Sequence, residues 1–226
     1  MRFFLLLLLP WAANAAEPQL PLSNDTYEVS WREYALGDGT VTLEKTAKSN
    51  CYRYRSVTEP AGLVKMFYGS PSETSEFCIE GGRVRPRHFE FSGNGEDDYR
   101  LDFNWKKRRV SGGELPERAL AADGVDHFSI QQAVRLWVMK NAGKKKPGNL
   151  KLTLVEKNGD SVYTFAIRGR EALEVPAGSF DCIRIELVGH DRKQIRYWIA
   201  PDRDWSLVKL EHRKDKKQQL MLELKS

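Results

Sequence analysis

Apolar and polar residues alternate with period two along most of this chain. Tyr27, Val29 and Trp31 are interleaved with Glu28, Ser30 and Arg32, and Gly37-Asp38-Gly39 turns the chain into Val41 and Leu43. Tyr99, Leu101, Phe103 and Trp105 alternate with Arg100, Asp102 and Asn104. Leu150, Leu152 and Leu154 lead to a turn at Asn158-Gly159-Asp160 and a strand from Val162 to Ile167. Ile183, Ile185 and Leu187 run to Gly189-His190-Asp191, then Ile195, Tyr197 and Ile199, and Leu220, Leu222 and Leu224 share one late face. Such alternation, broken by turn residues roughly every 8–12 positions, predicts an antiparallel meander. About ten or more strands are expected, enough to curl into a curved sheet or incomplete β-barrel.

One segment has the helical period instead. Ile130, Ala133, Val134, Trp137 and Val138 form an apolar stripe, Ser129 and Gln132 have capping-box spacing, and Gly143 and Pro147 follow. The pattern predicts an amphipathic helix over 129–142, packed on the concave side of the sheet. A shorter helical turn is expected over 60–68. Gly112-Gly113 and Pro116 read as a loop within 106–126. There is no internal repeat and no linker, so the fold class is a single, mainly β domain.

The first 15 residues stand apart. Arg2 gives a positive start, Phe3, Phe4 and Leu5 to Leu9 an apolar run, Pro10 a break, and Ala13-Asn14-Ala15 a small-x-small site. This is the layout of a secretory signal peptide, too short to span a membrane, and it predicts an exported protein cleaved after Ala15. The first cysteine is Cys51, so no lipid-carrying cysteine follows the cut. The mature chain is expected to be soluble, with no transmembrane segment. Residues 16–25, with Pro18 and Pro21, read as a flexible leader, and 26–226 as the β-rich domain. Of 226 residues, 211 remain after cleavage, enough for a sizeable core. The chain's charge is +5, about +4 once Arg2 is lost. That excess suits a solvated surface or, alternatively, attraction to anionic lipid or polymer. Export argues against a nucleic-acid partner.

Three cysteines in an exported chain suggest one disulfide and one spare thiol. Cys51 shares a strand face with Arg53 and Arg55, and Cys78 shares one with Glu76 and Glu80. Antiparallel pairing with Cys51 opposite Cys78 sets Arg53 against Glu76 and Tyr52 over Phe77. Charge and aromatic pairing agree in that register, so Cys51–Cys78 is the expected bridge. Cys182 is left as a small free thiol with nothing nearby to make it a nucleophile.

Chemistry is harder to find. His88, His127, His190 and His212 are scattered, with no His-x-x-x-His pair, nucleophile elbow, P-loop or dinucleotide fingerprint. Asp97-Asp98 follows Gly93-Asn94-Gly95 and reads as a solvated turn rather than a calcium loop. No catalytic residue, metal or cofactor is expected. A hydrolase would need histidines and carboxylates within hydrogen-bonding distance in a cleft. Three basic clusters stand at expected turns or helix ends: Lys106-Lys107-Arg108-Arg109, Lys144-Lys145-Lys146, and Arg213-Lys214 with Lys216-Lys217. They read as solvated tips that blunt sheet edges or, if two or three share one end, as a contact for an anionic membrane surface. The tryptophans suit core packing; alternatively, Trp31, Phe103, Trp105, Val134, Trp137 and Tyr197 line an apolar cavity between sheet and helix.

A longer pattern lies in the second half. Glu171-Ala172-Leu173-Glu174-Val175-Pro176-Ala177-Gly178-Ser179-Phe180-Asp181 leads into a strand, followed by Tyr197-Trp198-Ile199-Ala200-Pro201-Asp202 and Leu207-Val208-Lys209-Leu210-Glu211. Gly81-Gly82-Arg83-Val84-Arg85-Pro86 precedes them. Together these motifs resemble the proteobacterial envelope family termed domain of unknown function 3108, over most of the mature chain. The resemblance implies a periplasmic β-rich protein and, by looser similarity, the half-barrel of the lipoprotein carriers LolA and LolB. It brings no catalytic residues. The expected role is binding or carrying an apolar envelope component, a lipid or lipoprotein acyl chain. The alternative is a non-catalytic module with a filled core that docks an envelope protein.

Overall fold

The computed structural model describes residues 18–32, 34–60, 70–93 and 98–226. The expected signal peptide and the turn over 94–97 lie outside these residues. So does the expected helical turn over 60–68, apart from Pro60, which ends a strand.

Among the described residues fifteen strands are present: β1 (Ser23–Trp31), β2 (Tyr34–Lys45), β3 (Cys51–Pro60), β4 (Ser72–Glu80), β5 (Arg83–Ser92), β6 (Tyr99–Asn104), β7 (Arg109–Gly112), β8 (Arg118–Ala119), β9 (Gly124–Asp126), β10 (Asn149–Glu156), β11 (Gly159–Val175), β12 (Gly178–Val188), β13 (Lys193–Ala200), β14 (Ser206–Lys214) and β15 (Lys217–Leu224). Among the described residues one helix occurs, α1 (Ser129–Asn141). All strands belong to one curved sheet, in the order β8-β7-β6-β5-β4-β3-β2-β1-β15-β14-β13-β12-β11-β10-β9. Every pairing is antiparallel except β9 with β10. The edge strands β8 and β9 do not pair with each other, so the sheet is an unclosed barrel. The gap is spanned by other means: β9 and α1 pack on β5, and the Arg118 guanidinium donates to Asp160 (2.9 Å) and to the Glu156 carbonyl (2.7 Å).

The alternation maps directly onto this architecture. Tyr27, Val41, Leu43, Phe77, Phe89, Leu101, Leu154, Phe165, Ile185 and Leu210 are buried on the concave face. The expected loop over 106–126 instead holds β7, β8 and β9. Gly112 is what lets β7 lie so close to β6: at φ +94°, a Cβ there would fall 2.2 Å from the Arg100 carbonyl oxygen. The leader also departs from expectation. From Leu20 onward it belongs to the fold, with Leu20 buried and its N–H donating to the Tyr52 hydroxyl at 3.2 Å.

Helix α1 spans one residue less than expected and is covered on more than one face. Gln132, Arg135 and Leu136 are buried along with Ile130, Ala133, Val134 and Val138 of the apolar stripe, because the helix sits within the curve of the sheet. Its start is not a capping box. Asp126, three residues upstream of Ser129, accepts the N–H groups of Phe128 (2.9 Å) and Ser129 (2.7 Å) and the Ser129 hydroxyl (2.8 Å). A carboxylate, with two charged acceptor oxygens, outcompetes a serine hydroxyl for those donors.

Antiparallel order assigns each turn to an end. The β1–β2, β10–β11, β12–β13 and β14–β15 turns share one end. The β2–β3, β4–β5, β6–β7, β11–β12 and β13–β14 turns share the other. There, the C-terminal turn of α1 is tied down by Lys140, which donates to the Gly82 carbonyl at 2.7 Å. The helix thus fills one half of the interior and leaves the other half open.

Candidate functional site

That open half contains a chamber of about 260 Å³. Its apolar walls include Val29 of β1, Leu154 of β10, Ile195 of β13, Leu210 of β14 and Leu220 and Leu222 of β15. All stand at the inward parity of their strands. Its floor is the start of α1, Phe128 and Ile130, with Phe128 stacked on Tyr54 at 4.0 Å. Below lies a buried polar layer. The Tyr27 hydroxyl donates to the Leu207 carbonyl (2.8 Å) and the Tyr54 hydroxyl to Gln131 (2.9 Å). Arg135 donates to the Asp204 carbonyl (2.6 Å), and Arg203 pairs with Asp25 (3.2 Å). Burial lowers the Arg135 pKa and raises that of Asp25.

The chamber becomes polar toward the first end, through residues that continue an apolar parity to the tip of a strand. On one side Glu73 of β4 lies 3.2 Å from His127, just before α1, with Glu156 of β10 on the same lining. Burial alone would lower the His127 pKa, but Glu73, then Glu156 and Asp126, hold it at about 9. On the other side Lys193 of β13 donates to the Tyr163 hydroxyl of β11. His212 of β14 has its Nε2 buried and without a hydrogen-bond partner. Burial, then the charges of Lys193, His127 and Lys214, lower the His212 pKa.

Of the six residues expected to line a cavity, Tyr197 does so. The other five correct that expectation. Trp31 keeps the parity of Tyr27 and Val29 but is the last residue of β1, at the tip of the β1–β2 hairpin, and it is 43% exposed. Trp105 lies past the end of β6, donating to the Pro86 carbonyl at 2.6 Å under the Arg85 guanidinium. Phe103 and Val134 are packed in the filled half, and Trp137 borders a groove at the helix end beside Lys140 and Leu150. Glu73, Glu156, Lys193 and Tyr163, which give the mouth its character, have no sequence reading, and His127 and His212, expected to be scattered, both line it. Their signal was a polar side chain standing where parity calls for an apolar one.

The basic clusters divide between the ends. Lys106, Lys107, Arg108 and Arg109 form the β6–β7 turn, and Lys144, Lys145 and Lys146 follow α1, so both clusters share the helix end, away from the chamber mouth. Arg109 pairs there with Glu117 (2.9 Å), and Lys144 donates to the Asn141 side chain (2.9 Å). Arg213, Lys214, Lys216 and Lys217 flank the chamber at the other end. Cys51 and Cys78 are disulfide-bonded. Cys182 is free and buried, its pKa pushed up to about 11 by burial and by Asp181 and Glu171, which makes it a poor nucleophile.

Two histidines do meet carboxylates, His127 with Glu73 and His88 with Asp102 at 2.8 Å. They stand on opposite faces of the sheet, and among the described residues neither ring bonds a serine, threonine or cysteine. No group of three or more His, Cys, Asp or Glu gathers as a metal site among those residues. No helix among them is long and apolar enough to cross a membrane.

Comparison with known proteins supports the fold. The family described as "Protein of unknown function (DUF3108)" matches residues 26–225. A crystal structure of a beta-barrel-like protein of domain of unknown function DUF1849 from Brucella abortus superposes with a TM-score of 0.56 at 11% identity. The superposition covers 91% of this chain and 96% of that one. Curated proteins offer no match.

Proposed function

This chain belongs to the DUF3108 family, and from that premise we propose that it is an exported, non-catalytic protein that holds an apolar envelope component, a lipid or lipoprotein acyl chain. The chamber carries the reading. At about 260 Å³ it falls just below the ~300–1,000 Å³ of common ligand pockets, so it suits one chain rather than a whole multi-chain lipid. Each methylene moved from water to its leucine-lined wall contributes about 0.8 kcal/mol before the costs of association. The N-terminal signal pattern and the disulfide support export to an oxidising compartment.

Native mass spectrometry of protein purified from its own periplasm, followed by denaturing lipid extraction, tests the proposal. The expected result is a bound mass released on unfolding, and uptake of an apolar fluorescent probe that Leu222→Trp abolishes while the far-ultraviolet spectrum is retained. A bare mass with no probe uptake overturns it in favour of an interaction module that docks an envelope protein.

A further inference from the structure

We propose that Lys193, Tyr163 and His212 form a head-group site for an amphipathic anion whose single alkyl chain lies along Leu220, Leu222 and Leu207. This rests on the binding reading above and narrows its ligand to one with a carboxylate or phosphate head.

Lys193 stands at the inward parity of β13, two residues before Ile195, and Ile195 is directly opposite His212 on β14. Lysine and histidine are therefore diagonal neighbours on the chamber wall. Lys193 is held by Tyr163, whose hydroxyl accepts its hydrogen bond and whose ring lies 5.0 Å from Nζ. No carboxylate among the described residues pairs with Lys193, although it lines the chamber. A half-buried ammonium without a counter-charge is costly unless something else supplies one.

His212 adds an independent observation, for its buried Nε2 has no partner. Buried polar atoms in native proteins are nearly always satisfied, and this orphan belongs to a residue that lines the chamber. The charges that act on this ring are cations: Lys193, His127 and Lys214. Across the chamber the polarity is settled differently, because Glu73 already has His127 as its partner. Glu156 acts on that same His127 ring, so the negative side of the chamber is the Glu73 and Glu156 wall and the positive side is the Lys193 wall. An anionic oxygen there accepts from Lys193, from the Tyr163 hydroxyl and from His212 Nε2–H. The apolar residues of β14 and β15 lie next along the same wall for the tail.

The test is competitive displacement of the apolar probe by four ligands of equal chain length: decanoate, decyl phosphate, decanol and decylamine. We expect at least one of the two anions to bind about tenfold or more tighter than decanol, the strength of a charge-assisted hydrogen bond. That ratio should fall to near one in Lys193→Met and be reduced in His212→Asn. The decanoate and decyl phosphate arms separate the two head groups. The His212 imidazole resonance should move on adding the preferred anion and stay still on adding decanol. Equal binding of anions and decanol overturns the inference and leaves the chamber reading standing. A preference for decylamine also overturns it, moving the head-group site to Glu73 and Glu156. If none of the four displaces the probe, both readings fall. Should Lys193→Met not fold, the wild-type ligand ranking and the His212 resonance decide alone.

Discussion

Arg53 sits 2.8 Å from Glu76 and Tyr52 stacks on Phe77 at 5.6 Å, flanking the Cys51–Cys78 bridge in a single register. The bridge closes a loop with a sequence separation of 27, so a Cys51→Ser, Cys78→Ser variant should lose about 3 kcal/mol in urea denaturation. Equal stability of the variant and the oxidised wild type would contradict this. His127 gives a pH signature. Its pKa rises from 6.5 to about 9 on folding, so its pairing with Glu73 stabilises fully below pH 6.5 and is lost as pH rises through about 9. The ring is 53% exposed, so the contribution should stay under about 1 kcal/mol. Glu73→Gln should flatten the loss of stability seen between those pH values in urea titrations. The disulfide was legible because charge, ring and sulfur all selected one register. Lys193 and His212 were not, because a lone cation at a strand tip looks the same in sequence whether it faces water or a chamber.

At the level of elements, α1 is held at its start by Asp126, a carboxylate without exposure that also accepts from the Ser75 hydroxyl at 2.6 Å. Asp126→Ala strands buried donors on both β4 and the helix and should cost about 3 kcal/mol or more in chemical denaturation, with Asp126→Asn losing less. Leu136→Ala removes packing from a face that the amphipathic pattern left polar, at an expected cost of about 2–5 kcal/mol. A loss below about 1 kcal/mol would mean that this face is not packed. The period-two pattern read the long strands well, because one face of each meets the core and the other meets water. It missed β7, β8 and β9, which are too short to show a period. It also misjudged Trp31, because parity gives the face of a residue but not that it ends its strand at a hairpin tip, beyond the core.

For the whole molecule, the unpaired edges β8 and β9 form the weakest line of the barrel, bridged by Arg118 and by the Glu114 N–H donating to the Lys157 carbonyl at 2.7 Å. Arg118→Ala should speed hydrogen exchange over 112–119 and 155–160 while moving the melting temperature little. Unchanged exchange there would show that packing of β9 and α1 on β5 holds the edges instead. Curvature was legible from the number of strands, whereas the half-filled interior was not, since inward parity fixes the face of a residue and not its depth. One pairing sets the order of assembly. Nearly every ladder joins strands adjacent in sequence, but β1 pairs with β15, the last strand of this sheet to be synthesised. Two arms can therefore zip as local hairpins, while the clasp between them waits until β15 has been made. Until it closes, Tyr27 and Val29 sit on a bare strand edge open to pairing with another molecule. The growing chain thus has a window of self-association that ends only when its final strand docks, and an escort covering the nascent β1 edge would shorten it.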